Sequence, residues 1–186
     1  MQKHKRKKVI VFSFEGKNNK TESTYFTHFK PCNSDYILKW FSSGLTDPKG
    51  MINSTKNKRK QYDYNLNEDL TFIFIDGDNT ERYQQIKELQ KKQPKDISII
   101  ITNPSFELWF LNHFVKTSKE LTNPQLLDEL KHYIPKYSKN FDAYQIIQNL
   151  EQNAINNSNY QLSLKKDNPT TEVVKLFNNK IITQRK

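Results

Sequence analysis

Three apolar runs in this chain end in residues able to hold a cation. VIVFSF (residues 9–14) is followed by Glu15-Gly16 and LTFIFI (70–75) by Asp76-Gly77-Asp78. ISIIIT (97–102) is followed by Asn103-Pro104-Ser105-Phe106-Glu107. Carboxylates are hard oxygen donors, and a few of them with water and a phosphate make the usual site of Mg²⁺ or Mn²⁺. Gathered at one place they would repel one another unless a cation neutralised them. Local roles compete with that reading. Asp78 with Glu81, and Asn19 with Glu22, have capping-box spacing, while Asn103-Pro104 with Glu107 fits a helix start. Capping accounts for neither Glu15 nor Asp76, which stand at strand ends before any helix begins.

The elements that must position these acids follow from the pattern. The three apolar runs, together with YILKWF (36–41), read as strands, the continuous ones as strands buried on both faces of a parallel sheet. Helices are expected from Thr21 to about Lys30, from about Thr80 to Gln93, and through Phe106, Leu108, Trp109, Phe110 and Phe114; residues 51–62 read as weakly helical. The βαβ(α)βαβα order implies an α/β fold, an open and mostly parallel sheet flanked by helices. From residue 116 onward no strong strand is expected, only helices at 123–133, 142–156 and 171–179. A single domain results, with an α/β core over 8–115 and a helical C-terminal part over 116–186. In such sheets ligands bind beyond the carboxyl ends of the strands, where the acids fall.

Composition narrows the partners. The 186 residues carry a net charge of +10, and nine basic residues with no acid lie in residues 1–8 and 56–60, leaving 21 basic against 20 acidic elsewhere. The first run includes Lys5, Arg6, Lys7 and Lys8; the second is Lys56, Lys58, Arg59 and Lys60. Clustered positive charge suits a nucleic-acid backbone. Of the 30 basic residues 26 are Lys, which lacks the fork used to read bases, so sequence-specific recognition is not expected. One cysteine, Cys32, excludes a disulfide framework and a cysteine-based zinc site. No apolar run reaches the ~18–20 residues of a membrane span, so a soluble, cytoplasmic protein with no membrane partner is expected.

The strand-end Glu15 and the later Asp76-Gly77-Asp78 resemble the Toprim pattern. That fold underlies type IA and II topoisomerases, bacterial primases and overcoming-lysogenization-defect (OLD) nucleases. More closely, the chain resembles the RloB-like, or AbiLii-like, proteins of abortive-infection systems. The matching pieces are Glu15-Gly16 with Thr21-Glu22 and Tyr25-Phe26, then Asp76-Gly77-Asp78, NPSFELWFLNHF (103–114) and Asn168-Pro169-Thr170-Thr171. The resemblance implies a nuclease using one or two Mg²⁺ or Mn²⁺ ions on RNA or DNA, working with an ATPase partner. By motif position, Glu15, Asp76 and Asp78 would be the primary metal ligands. Glu22, Ser105 and Glu107 resemble a second metal set, and Lys139 is the first candidate for a catalytic lysine, before Lys165 and Lys166. The loop between Glu15 and Glu22 is longer than the family's, and Gly77 stands where a bulkier residue is usual.

Two other classes fit parts of the sequence. Asp76-Gly77-Asp78-Asn79-Thr80 matches the nucleophile loop of haloacid-dehalogenase-type phosphatases, with Asp76 as nucleophile and Asp78 as acid/base. No adjacent Asp pair follows it to hold the metal that fold needs. A non-catalytic subunit that binds nucleic acid or a partner is the other alternative. His113 is the one histidine near the NPSFELWF segment.

Overall fold

Side chains that alternate along the strands give this sheet two apolar faces, each covered by its own helices. The computed structural model describes residues 6–17, 21–139 and 141–185; Lys5 and Asn19 lie outside them. The first half contains β1 (Lys8–Phe14), α1 (Thr21–Phe26), β2 (Phe29–Pro31), β3 (Tyr36–Ser42) and α2 (Pro48–Lys58). It continues with β4 (Leu70–Asp76), α3 (Thr80–Lys91), β5 (Ile97–Asn103) and α4 (Glu107–Leu111). Then follow α5 (Asn123–Tyr133), α6 (Tyr144–Ile147), α7 (Glu151–Ser163), β6 (Thr170–Thr171), α8 (Val174–Asn178) and β7 (Ile182–Gln184).

The main sheet runs β3-β1-β4-β5-β6, with β3, β1, β4 and β5 parallel and β6 antiparallel to β5. This is the open, mostly parallel α/β sheet expected. The chain goes from β1 outward to β3 and then returns to the other side of β1, so strand order reverses between β1 and β4. At that reversal the connections leave in opposite directions and open a crevice at the carboxyl edge.

On one face Ile73, Ile75, Ile97, Ile99 and Ile101 pack with Met51 and Ile52 of α2 and with Tyr83 and Ile86 of α3. On the other, Phe12, Phe14, Phe72 and Phe74 join α1, α4 and the helices after residue 116 in one core. Trp109 is fully buried there and stacks on Phe177 of α8, their ring centres 5.2 Å apart. The C-terminal part therefore shares its core with the sheet.

Several local expectations are corrected. The helix expected over residues 21–30 stops at Phe26, because Phe29–Pro31 pairs antiparallel with Ile182–Gln184. Two short strands, β6 and β7, exist where none was expected. The helix expected over 142–156 is broken: α6 gives way to a 3-10 turn at Gln148–Leu150 before α7 begins at Glu151. That expected over 171–179 begins later, at Val174, because Thr171 extends the sheet. No helix among the described residues is long and apolar enough to cross a membrane.

Candidate metal centre

β1 and β4 deliver the acids to the point of strand reversal. Glu15 follows β1 directly, and Gly16 turns the chain away with a φ of +76°, a left-handed conformation that glycine adopts at low cost. One oxygen of the Glu15 carboxylate accepts from the backbone N–H of Asp76 at 3.3 Å. Asp76 ends β4, partly buried, and its Oδ1 accepts from the backbone N–H of Phe106 at 3.0 Å. Gly77 has a steric reason: a Cβ there would lie 2.7 Å from Asn103 at the end of β5. Asp78 is exposed with φ +55°, its N–H donating to the Pro104 carbonyl at 2.9 Å.

Neither expected cap forms among the described residues of these turns. Asn79, not Asp78, caps α3 by accepting from the Arg82 N–H at 3.0 Å, while Asp78 Oδ1 accepts from Asn123 Nδ2 at 3.2 Å. Phe106 precedes α4 with no side-chain cap, and the carboxylate of Asp76 serves its N–H from another strand.

A second group lies deeper. Glu22, Ser105 and Glu107 are all buried. Glu107 accepts from the Ser105 hydroxyl at 2.9 Å and from the Tyr137 hydroxyl at 3.1 Å. Burial beside Glu107 pushes the Tyr137 phenol well above its ordinary range, so it stays a donor. Lost hydration, then the charges of Glu22, Glu107, Glu15 and Asp78, hold the Asp76 carboxyl well above the usual carboxylate range. Five acids thus act on one another at the edge. Burial raises Glu15 as well, with Arg82 opposing the shift.

Arg82 is the residue that sequence reasoning missed. Its Nη2 donates to both oxygens of Glu15, at 2.9 and 3.0 Å, and to the Thr46 carbonyl at 3.0 Å. Its Nε donates to the Asp76 carbonyl at 2.9 Å and lies 3.3 Å from Asp78 Oδ2. The cation demanded by the acids is supplied by the chain itself. The available signal was the Asp78–Arg82 interval of four, although Asp78 stands before α3 and not on it.

The oxygen donors suit a hard divalent ion, and burial before all else holds the Asp76 carboxyl up. The side chains as placed surround the guanidinium: among the described residues no three His, Cys, Asp or Glu groups are spaced to hold one metal ion.

The remaining candidates are dispersed. Lys139 is exposed, and its backbone carbonyl accepts from the Thr21 hydroxyl at 2.9 Å, next to Glu22 in sequence. Arg6 pairs with Asp69 at 2.9 Å, while Lys7 is exposed and Lys8 lies 4.0 Å from Glu68. Arg59 is buried, bonded to Asp96 at 2.6 Å and Thr71 at 3.2 Å. Asp69 and Asp96 each precede a strand, so Arg6 and Arg59 are committed at the amino edge, away from Asp76. Lys58 donates to the Ser42 and Ser43 carbonyls; Lys56 is partly buried and Lys60 exposed. His113 is buried with Nδ1 2.9 Å from the Trp109 carbonyl, and burial pushes its imidazole down to about 4, a neutral structural side chain.

A family model described as RloB-like protein matches residues 10–179. The chain belongs to the RloB-like family. The matched span runs from within β1 to just past α8, so it takes in the acids of both strand ends and the C-terminal helices packed behind them. No curated protein and no solved structure matches this RloB-like chain.

Proposed function

We propose that this RloB-like protein is a metal-dependent nuclease that cleaves phosphodiester bonds in RNA or DNA. In this reading it is the cytoplasmic effector of an abortive-infection system and works beside an ATPase partner. One observation carries the proposal: Glu15 meets the Asp76–Asp78 turn at the strand reversal, with Asp76 held above its ordinary range by burial and then by the surrounding acids. Glu15, Asp76 and Asp78 are the primary ligands, with Glu22, Ser105 and Glu107 behind them as a second set. Held by these residues, Mg²⁺ or Mn²⁺ would supply Lewis-acid chemistry for phosphodiester hydrolysis. The Phe106 N–H and Tyr137 hydroxyl fix the carboxylates that receive it. Lys139, whose backbone carbonyl accepts from Thr21, remains the candidate to meet charge on the phosphate.

A basic surface lies near this edge. Lys87, Lys91, Lys165 and Lys166 line a cavity of about 300 Å³ with Tyr83, Asp167 and Glu172. Lys87 pairs with Glu172 at 3.5 Å and Lys91 with Glu88 at 2.6 Å, while Lys165 and Lys166 are exposed. The carbonyl of Asp167 accepts from Asn103 Nδ2 at 2.7 Å, which ties one rim of the cavity to the residue touching Gly77. Phosphates of a bound strand fit this surface better than they fit the committed Arg59. Changing Lys165 and Lys166 together to Glu is expected to weaken nucleic-acid binding by about tenfold or more and to flatten its salt dependence by about two counterions. Fluorescence anisotropy across a salt series measures both quantities.

The direct test is cleavage of DNA and of total RNA with Mn²⁺ or Mg²⁺, beside the same reactions in EDTA. Metal-dependent cleavage of either polymer is the expected result. Intact DNA and RNA at saturating Mn²⁺ would leave a binding subunit as the function.

A further inference from the structure

The carboxylates that would receive a metal ion already hold a cation. Arg82 Nη2 spans both oxygens of Glu15 and also reaches the Thr46 carbonyl. Its Nε lies against Asp78 Oδ2 and the Asp76 carbonyl. Two of the three primary acids therefore direct acceptor oxygens at one guanidinium. A planar fork with several donors matches carboxylates in this way, and a divalent ion would compete for the same lone pairs.

The position of Arg82 makes this contact displaceable. It lies in the first turn of α3, whose N–H groups present positive potential, so the helix disfavours a cation there. The carboxylates and carbonyls across the crevice hold the guanidinium against that field. Its side chain keeps 20% of its surface exposed. On its outer side, Asn79, Glu81, Arg82 and Gln85 line an open cavity of about 420 Å³. Glu81, adjacent in sequence and exposed, offers a carboxylate on that side. The guanidinium thus has a second place to go.

We propose that Arg82 gates the metal centre: the guanidinium holds Glu15 and Asp78 in the resting protein and must release them before a divalent ion binds. This rests on the metal-centre reading given above and adds its regulation. Metal loading, not assembly of the acids, is then the controlled step. A bound polyanion, by drawing Arg82 outward onto a phosphate, would favour loading.

Mn²⁺ binding by calorimetry, with no nucleic acid present, tests the gate independently of cleavage. Arg82→Gln, its fold checked by circular dichroism, is expected to bind Mn²⁺ about tenfold more tightly than the unaltered protein, the scale of a coupling between competing contacts. Arg82→Lys keeps the charge but loses the fork, and is expected to fall between the two. Equal or weaker Mn²⁺ binding by both variants overturns the gate. Asp76→Asn separates the two readings: if it leaves Mn²⁺ affinity unchanged, the metal centre itself is wrong and the gate falls with it. Binding by Arg82→Gln alone, with none by the unaltered protein, supports the gate in its strongest form.

Discussion

Asp76→Asn is expected to abolish cleavage and at the same time to stabilise the metal-free protein. Asn keeps an oxygen for the Phe106 N–H that Asp76 Oδ1 now accepts, so the turn into α4 survives. Asp76→Ala would leave that N–H without its partner and confuse folding with chemistry. Loss of one charged ligand from the centre should lower the cleavage rate by about 10²–10³-fold or more, the scale seen when a transition-state stabiliser is removed. It should also remove any toxicity of the expressed protein. The stability effect has the opposite sign. The folded protein holds the Asp76 carboxyl above its unfolded value, so it binds that proton more tightly than the unfolded chain. The resulting stability is complete below the ordinary carboxylate range and is lost as pH rises through the raised value. In EDTA, thermal unfolding from about pH 4 to about pH 8 should show Asp76→Asn gaining on the unaltered protein as pH rises. Undiminished cleavage by Asp76→Asn would end the catalytic assignment, whatever the stability curve does.

Arg59→Ala is expected to cost about 3–5 kcal/mol, because it strands the buried carboxylate of Asp96. The pair is 2.6 Å apart with both side chains less than 10% exposed. Arg59 also bonds Thr71 and lies over the Tyr64 ring, 4.2 Å from its centre, so several contacts go together. For a chain of this size the melting temperature should fall by about 10 °C. Nucleic-acid affinity measured below that transition should be unchanged, since this guanidinium does not reach solvent. Removing both charges, as Arg59→Met with Asp96→Leu, should recover much of the loss. A small effect of Arg59→Ala alone would show that water reaches Asp96.

What was legible in the sequence follows the range of the forces involved. LTFIFI and ISIIIT announce β4 and β5 because a strand covered on both faces must be apolar throughout. Glu15 and Asp76 stood out because nothing local explained them, and they do meet. Phe29-Lys30-Pro31 read as a helix end because its partner, Ile182–Gln184, lies more than 150 residues away and leaves no mark nearby. Thr170-Thr171 is too short to show a period, and its pairing depends on the edge that β5 happens to offer. Arg59 looked like surface charge because Asp96, its partner, is distant in sequence. Arg82 was hidden differently: its long side chain turns back across the helix start, so its target depends on crevice geometry.

The pairing of β2 with β7 bears on when the molecule becomes whole during synthesis. Phe29 lies opposite Gln184, and Phe29 also packs against Phe177, so both contacts wait for residues 177–184 to be made. A ribosome adding about 5–20 residues per second leaves β2 without its partner for about 8–30 s. All five acids have been made by then, but the Phe29 and Trp109 rings still lack their cover from α8. The interval is a window for chaperones and for misassembly, and long-range closure of this kind is intrinsically slow. A fold closed this way completes its second sheet only once residues 182–184 are free to reach β2.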